Sequence, residues 1–169
     1  IYAEGVPNIG THPDEIRIKR MTYQQHKFEK LVSLTEQHSS QEGVNFSCIK
    51  NFGTFKVSTT QSRRPSVDQA VMWIVVQGKK ICFVGKQKYD YSAGNVLVLF
   101  YPMAVVAEIV EASPDKPFLA AGVAVDLGRM ADVLVRIDRI DGGAAKPASM
   151  DPSGIFSIPL NDNLLDPFI

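Results

Sequence analysis

The side chains able to do chemistry are few, and their spacing argues against a catalytic centre. Three histidines, His12, His26 and His38, all lie in the first quarter of the chain, and none stands in an HxH or HExxH spacing. Cys48 and Cys82 form no CxxC pair. The segment GKKICFVGK, Gly78 to Lys86, places six residues between its glycines and no Ser or Thr after Lys86, so it is not a phosphate loop. No GxSxG elbow occurs. What remains is recognition chemistry. Phe55, Trp73, Tyr89, Tyr101 and Met103 are candidates to line a ligand site, because aromatic walls with a polar tip suit a small organic molecule. Arg63, or its neighbour Arg64, offers a guanidinium that can grip a carboxylate through two parallel bonds. The same aromatic residues would equally serve as filling for a solid interior.

The chain must position these residues with ordinary material. Its 169 residues are 45% hydrophobic and 21% charged, which suits one globular domain with a real core. Lys plus Arg and Asp plus Glu number 18 each, so no basic excess exists to neutralise phosphates. A free-standing nucleic-acid binder is excluded, and any DNA contact must come from another segment. Two cysteines favour a reducing, cytoplasmic setting over a secreted scaffold, and Cys82, inside an apolar run, reads as a small buried hydrophobe. The longest apolar run, Val96 to Ala107, is broken by Pro102 and too short to span a membrane. Ile1 to Gly10 lacks the pattern of a signal peptide, and without an initiator Met the chain reads as a fragment.

Hydrophobic periodicity places the elements. Residues 1–21 read as an extended lead-in, with Arg17, Lys19 and Arg20 solvated. Phe28, Leu31, Val32 and Thr35 share one face of a helix predicted from Thr22 to about Gln37. Val44–Cys48 and Phe55–Ser58 alternate as two strands around an Asn51-Phe52-Gly53 turn, and Gln61–Pro65 reads as a loop. From Val67 to Val125, short β-rich runs are cut at Gly78, Gly85, Gly94 and the Ser113–Pro117 segment, predicting consecutive antiparallel strands. Val71–Val76 is apolar throughout and should be covered on both faces. On the run Gln87–Tyr91, Tyr89 and Tyr91 point inward and Lys88 and Asp90 outward. Seven or eight such strands suit a small barrel or jelly roll able to enclose one ligand.

After the strands, Asp126 is placed to cap a helix in which Leu127, Met130, Val133 or Leu134, and Ile137 repeat, stopped by Gly142-Gly143. One stripe of that helix should pack on the barrel, and a second could meet a partner subunit. Residues 142–169 read as a linker, a short strand over Ile155–Leu160, and a cap at Asn161-Asp162-Asn163 opening another helix. Residues 22–141 thus form the domain.

Three stretches, VMWIVVQGKK (71–80), VGKQKYDYSAGNVLVL (84–99) and EIVEASPDKPFLAAGVAVDLGRM (108–130), resemble the N-terminal sensor domain of AraC-type transcriptional regulators. The resemblance is dense from Pro65 to Met130, thinner from Val44 to the C-terminus, and absent over residues 1–21. It implies a mainly β, cupin-like barrel with flanking helices. It further implies a small-molecule effector in a metal-free barrel, no cofactor, a homodimer, and DNA contact only through a separate C-terminal helix-turn-helix part. Enzymatic cupins hold a metal with histidines and a glutamate on these strands. Here no His follows His38, and Asp90, Glu108 and Glu111 are scattered, so binding rather than catalysis is expected. Two competing readings stand beside it: a metal-dependent cupin enzyme, either dioxygenase or isomerase, and a dimerisation module with no ligand.

Overall fold

A computed structural model describes residues 13–140 and 154–161. It opens on helix α1, Pro13–Gln37, one and a half times the predicted length. Proline at the first helical position loses no hydrogen bond and has its φ already set for the helix. Residues 13–21, expected as an extended lead-in, are therefore helical; residues 1–12 lie outside the described part.

Among the described residues ten strands follow: β1 Gly43–Phe46, β2 Phe52–Val57, β3 Gln61–Asp68, β4 Val71–Gln77 and β5 Lys79–Val84, then β6 Gln87–Ser92, β7 Asn95–Leu99, β8 Met103–Glu111, β9 Phe118–Ala124 and, after helix α2 (Leu127–Ile140), β10 Ile155–Pro159. They form two sheets, one ordered β1-β2-β9-β4-β7-β10 and one ordered β3-β8-β5-β6. Every pairing is antiparallel. The sheets face each other, which bears out a mainly β barrel or jelly roll with flanking helices. The expected consecutive order does not hold, since only β1–β2 and β5–β6 pair with their immediate successors in the chain. The others pair across the sequence, and alternation within a strand carries no information about its neighbour.

Two local readings are corrected. Phe52 and Gly53, predicted as turn, open β2, and the reversal is made by Ser47–Asn51, with Asn51 in the left-handed region at φ 67°. Gln61–Pro65, predicted as a loop, is part of β3, which pairs with β8 as an edge strand. Proline is tolerated there because an edge strand need not donate on its outer side, and polar residues suit an edge facing water.

Period-2 alternation divides the six-stranded sheet into two apolar faces. Val71, Trp73 and Val75 of β4, Leu97 and Leu99 of β7, Phe118 and Ala120 of β9 and Ile155 of β10 point toward the four-stranded sheet. Met72, Ile74 and Val76, Val96 and Val98, Leu119 and Phe156 point the other way, against Phe28, Leu31 and Val32 of α1. The all-apolar β4 run thus has both faces covered, as its composition predicts. The end of α1 is tied to β2: Ser39 Oγ donates to Thr35 O (2.7 Å) and lies 2.8 Å from Thr54 Oγ1, which donates to His38 O (2.9 Å). All three groups are at the core boundary and each finds a partner.

Helix α2 begins as predicted, with Asp126 Oδ1 accepting from Arg129 N (3.1 Å) and Asp126 O from Met130 N (2.9 Å). Its Leu127 and Val135 are exposed, and Met130 is half-buried. Strand β10 matches the short strand expected at Ile155–Leu160. The expected linker at 144–153 and the helix expected after Asn161 lie outside the described residues. Among the described residues no helix is long and apolar enough to cross a membrane.

Candidate functional site

Between the two sheets lies a cavity of about 490 Å³. Its six-stranded wall is apolar, formed by Phe55, Trp73, Val75, Leu97, Phe118 and Ala120. Its four-stranded wall carries Ser66, Asp68, Lys80 and Tyr91 beside Ala107 and Ile109. Solvent reaches it along the edges β1 and β3, where Val44 is 45% and Val67 is 68% exposed and Arg64 and Pro65 are also exposed. At the far end, Tyr91 is fully buried.

The aromatic wall is set by strand register. Trp73 of β4 faces Gly122 of β9 directly, and a Cβ at Gly122 would run into the indole ring. Glycine there lets the indole lie flat across the neighbouring strand, where any other residue would displace it. The Phe55 ring lies 6.1 Å from Trp73 and 6.0 Å from Phe118, tilted to one and edge-on to the other. Both spacings fall in the favourable range for aromatic pairs.

The polar wall centres on Lys80. Its Nζ lies 3.6 Å from Asp68 Oδ2, with the two side chains 15% and 16% exposed, and 5.9 Å over the Phe55 ring. That separation is an ion pair too long for a hydrogen bond. Ser66 Oγ donates to Asp68 Oδ1 (3.0 Å). Across the β5–β6 hairpin, Lys80 is the register partner of Tyr91, which places their side chains on one face. Burial pushes the Tyr91 phenol far above its usual range, reinforced by the neighbouring Cys82, Tyr89, Asp68 and Asp90, so it stays a neutral hydroxyl. Asp68 Oδ2 and Tyr91 Oη are buried without a hydrogen-bond partner. At the mouth, Arg64 donates from Nη2 to Gln61 Oε1.

Of the residues singled out from sequence, Phe55 and Trp73 line this cavity. Arg63 does not: it is on the solvent side of its strand, 3.1 Å from Glu108 Oε2 and stacked 4.1 Å over the Phe83 ring. Alternation along β3 sends Arg64, its neighbour, to the cavity instead. Tyr89 packs against the inner core, with its hydroxyl 2.7 Å from Gln87 Oε1, and Met103 packs there also. Neither is part of the cavity lining. Tyr101 is 44% exposed and its ring lies against Gly154. Cys82 is buried in the inner core as expected, with burial raising its thiol from near 9 to about 11.

The polar wall itself was not anticipated. Alternation points Tyr91 inward, and pairing across the tight β5–β6 hairpin sets Lys80 beside it. Asp68 carries no such signal, because the loop reading of Gln61–Pro65 hides the first five residues of its strand. Among the described residues, no group of three or more His, Cys, Asp and Glu side chains converges as metal ligands would.

Residues 48–169 match the family described as the AraC-type transcriptional regulator N-terminus. Among solved structures, the protein YhaK from Escherichia coli overlaps at a TM-score of 0.39 and 17% identity, over 65% of this chain and 41% of that one. The Cnp3 cupin domain from Schizosaccharomyces pombe overlaps at a TM-score of 0.37 and 13% identity, over 63% of this chain and 73% of that one. This chain therefore spans well under half the length of the first. No curated protein sequence matches it. Both structural overlaps are partial, and the two-sheet architecture is defined by the strand pairing above.

Proposed function

The chain belongs to the family of AraC-type transcriptional regulator N-termini, and on that footing we propose that it is an effector-sensing domain that takes up a small molecule between its two sheets. The single observation carrying this reading is the cavity: about 490 Å³, aromatic on one wall and polar on the other. That size and lining are those of small-molecule sites, which pair a mostly apolar enclosure with a few placed polar groups.

Binding must be converted into a signal. A ligand shifts an equilibrium only by its differential affinity for two states. The cavity edge is made by β1 and β3, while β10 and α2 lead toward the C-terminal part of the chain. An effector that draws the two sheets together would alter how those C-terminal elements are presented to a DNA-binding domain. The balanced charge of 18 basic and 18 acidic residues supports a sensor that leaves phosphate contact to that other domain. Homodimerisation, with the exposed Leu127 and Val135 on α2 as an available surface, and a cytoplasmic setting belong to the same proposal.

A thermal-melt screen of metabolites at millimolar concentration tests it. An effector stabilises the native state in proportion to the logarithm of its concentration over Kd, about 2.7 kcal/mol at a hundredfold excess, and raises the melting temperature. No shift from any compound would overturn the sensor reading. So would near-stoichiometric iron, zinc or manganese in the purified chain together with turnover of a small compound, which would favour a metal-dependent enzyme.

A further inference from the structure

The two buried side-chain atoms left without a hydrogen-bond partner among the described residues, Asp68 Oδ2 and Tyr91 Oη, both belong to this one cavity wall. Lys80 brings them together, as the ion-pair neighbour of Asp68 at 3.6 Å and the cross-strand partner of Tyr91. Their chemistry is complementary. A carboxylate oxygen only accepts, and a neutral phenol can donate. A buried polar atom that makes no hydrogen bond costs free energy; the Lys80 ammonium 3.6 Å away offsets part of that cost at Asp68 Oδ2, and both atoms keep hydrogen-bonding capacity that a guest can use.

The charge of the wall narrows the guest. Asp68 and Lys80 cancel one another, so an anionic head placed here meets the Asp68 carboxylate and a cationic head meets the Lys80 ammonium. Arg64 stands apart at the exposed mouth, bonded to Gln61. Facing the polar knot are three rings, Phe55, Trp73 and Phe118, packed on one another into an aromatic wall against which a flat apolar body can lie.

Resting on the sensor reading above, we infer that the effector is a neutral, flat aromatic molecule carrying a hydroxyl, a phenol-class compound, with that hydroxyl held between Asp68 and Tyr91. One hydroxyl serves both atoms, donating to Asp68 Oδ2 beside its Lys80 ion pair and accepting from Tyr91 Oη. The aromatic body lies against Trp73 and Phe55.

Trp73 is the chain's one tryptophan, so its emission reports on this cavity alone. The test titrates the full chain with 4-propylphenol, 4-propylanisole and 4-propylbenzoate, following Trp73 emission and the melting temperature. The phenol should bind tightest. The anisole, unable to donate to Asp68, should bind about tenfold more weakly, as the loss of one hydrogen bond to a charged group requires, and the benzoate more weakly still. Tyr91→Phe should weaken the phenol by a similar factor while the melting temperature without ligand stays level or rises, because the hydroxyl removed had no partner. Equal or tighter binding of the anisole or the benzoate would overturn the inference, as would unchanged phenol affinity in Tyr91→Phe. If none of the three binds while some other metabolite raises the melting temperature, the hydroxyl-headed guest is wrong and the sensor reading stands. If no metabolite does so, both fall.

Discussion

The two faces of the six-stranded sheet are built from the same strands and do opposite work. The outer face presents Ile74, Val76, Val96, Val98 and Leu119 to Leu31 of α1, and its fully buried side chains are aliphatic, with Phe28 and Phe156 packed at their margin. The inner face presents Phe55, Trp73 and Phe118 to a space that side chains only partly fill. Adjacent residues of β4 belong to different faces: Ile74 is 0% exposed in the packed layer, while Trp73 borders the cavity. Close packing earns stability from every methylene, whereas a lined void gives up some of those contacts in return for room. Stability falls mainly to the α1 side, and the room for the proposed guest lies on the side facing the four-stranded sheet.

The largest effect that would break this division is at Ile74. Ile74→Ala removes most of a fully buried side chain from the packed layer, and should cost about 3 kcal/mol in urea unfolding. A loss under about 1 kcal/mol would mean the outer layer is not close-packed as described. Ligand affinity, once a ligand is known, should change little in that variant if it remains folded.

Gly122→Ala probes the opposite face. The added methyl has no room beneath the Trp73 indole, so the ring must move into the cavity. Destabilisation of about 1–3 kcal/mol is expected, in the range of overpacking, with a shifted Trp73 emission maximum. Unchanged emission would mean that Gly122 does not seat the indole.

A smaller effect is expected at alkaline pH from Cys82, behind the cavity wall. Its thiol is raised from near 9 to about 11 by burial, with Lys80 opposing and Asp68 assisting. The folded state holds the proton more tightly than the unfolded one. The resulting stability is therefore complete below about 9 and is lost as pH rises toward about 11. Cys82→Ala should flatten that part of the stability profile. In native protein at pH 8, a thiol reagent should modify exposed Cys48 quickly and Cys82 only on unfolding.

The smallest effect lies away from both faces. Glu42 accepts from Ser58 N (3.0 Å) and from Ser58 Oγ. These bonds, side chain first, hold its carboxyl below the usual 4.5, with Lys56 assisting and slight burial opposing. The contribution is present above that value and disappears as pH falls below it. Ser58→Ala should return the Glu42 titration, followed by NMR, toward an ordinary carboxylate with little change in stability at pH 7.

Much of this division is legible along single strands. The apolar run of β4, the inward tyrosines of β6 and the Phe28–Leu31–Val32–Thr35 face of α1 all follow from periodicity, because a side chain's face depends on its own position within an element. The Asp126 cap is legible for the same local reason. Gln61–Pro65 misleads because an edge strand tolerates proline and polar residues that a central strand does not. With Gln61–Pro65 read as a loop, the alternation that runs on to Asp68 and separates Arg63 from Arg64 is hidden.

Local order therefore determined this protein's class: short alternating strands, turn glycines and three family-like stretches point to a β container in a regulator's N-terminal half. Which side chains meet inside that container was decided only by tertiary structure. Lys80, Tyr91 and Asp68 come from β5, β6 and β3, and Trp73 and Gly122 from strands far apart in the chain. The physical reason is that period-2 alternation specifies a face, while sheet order and register specify the neighbour, and non-consecutive pairing leaves no trace in the residues between.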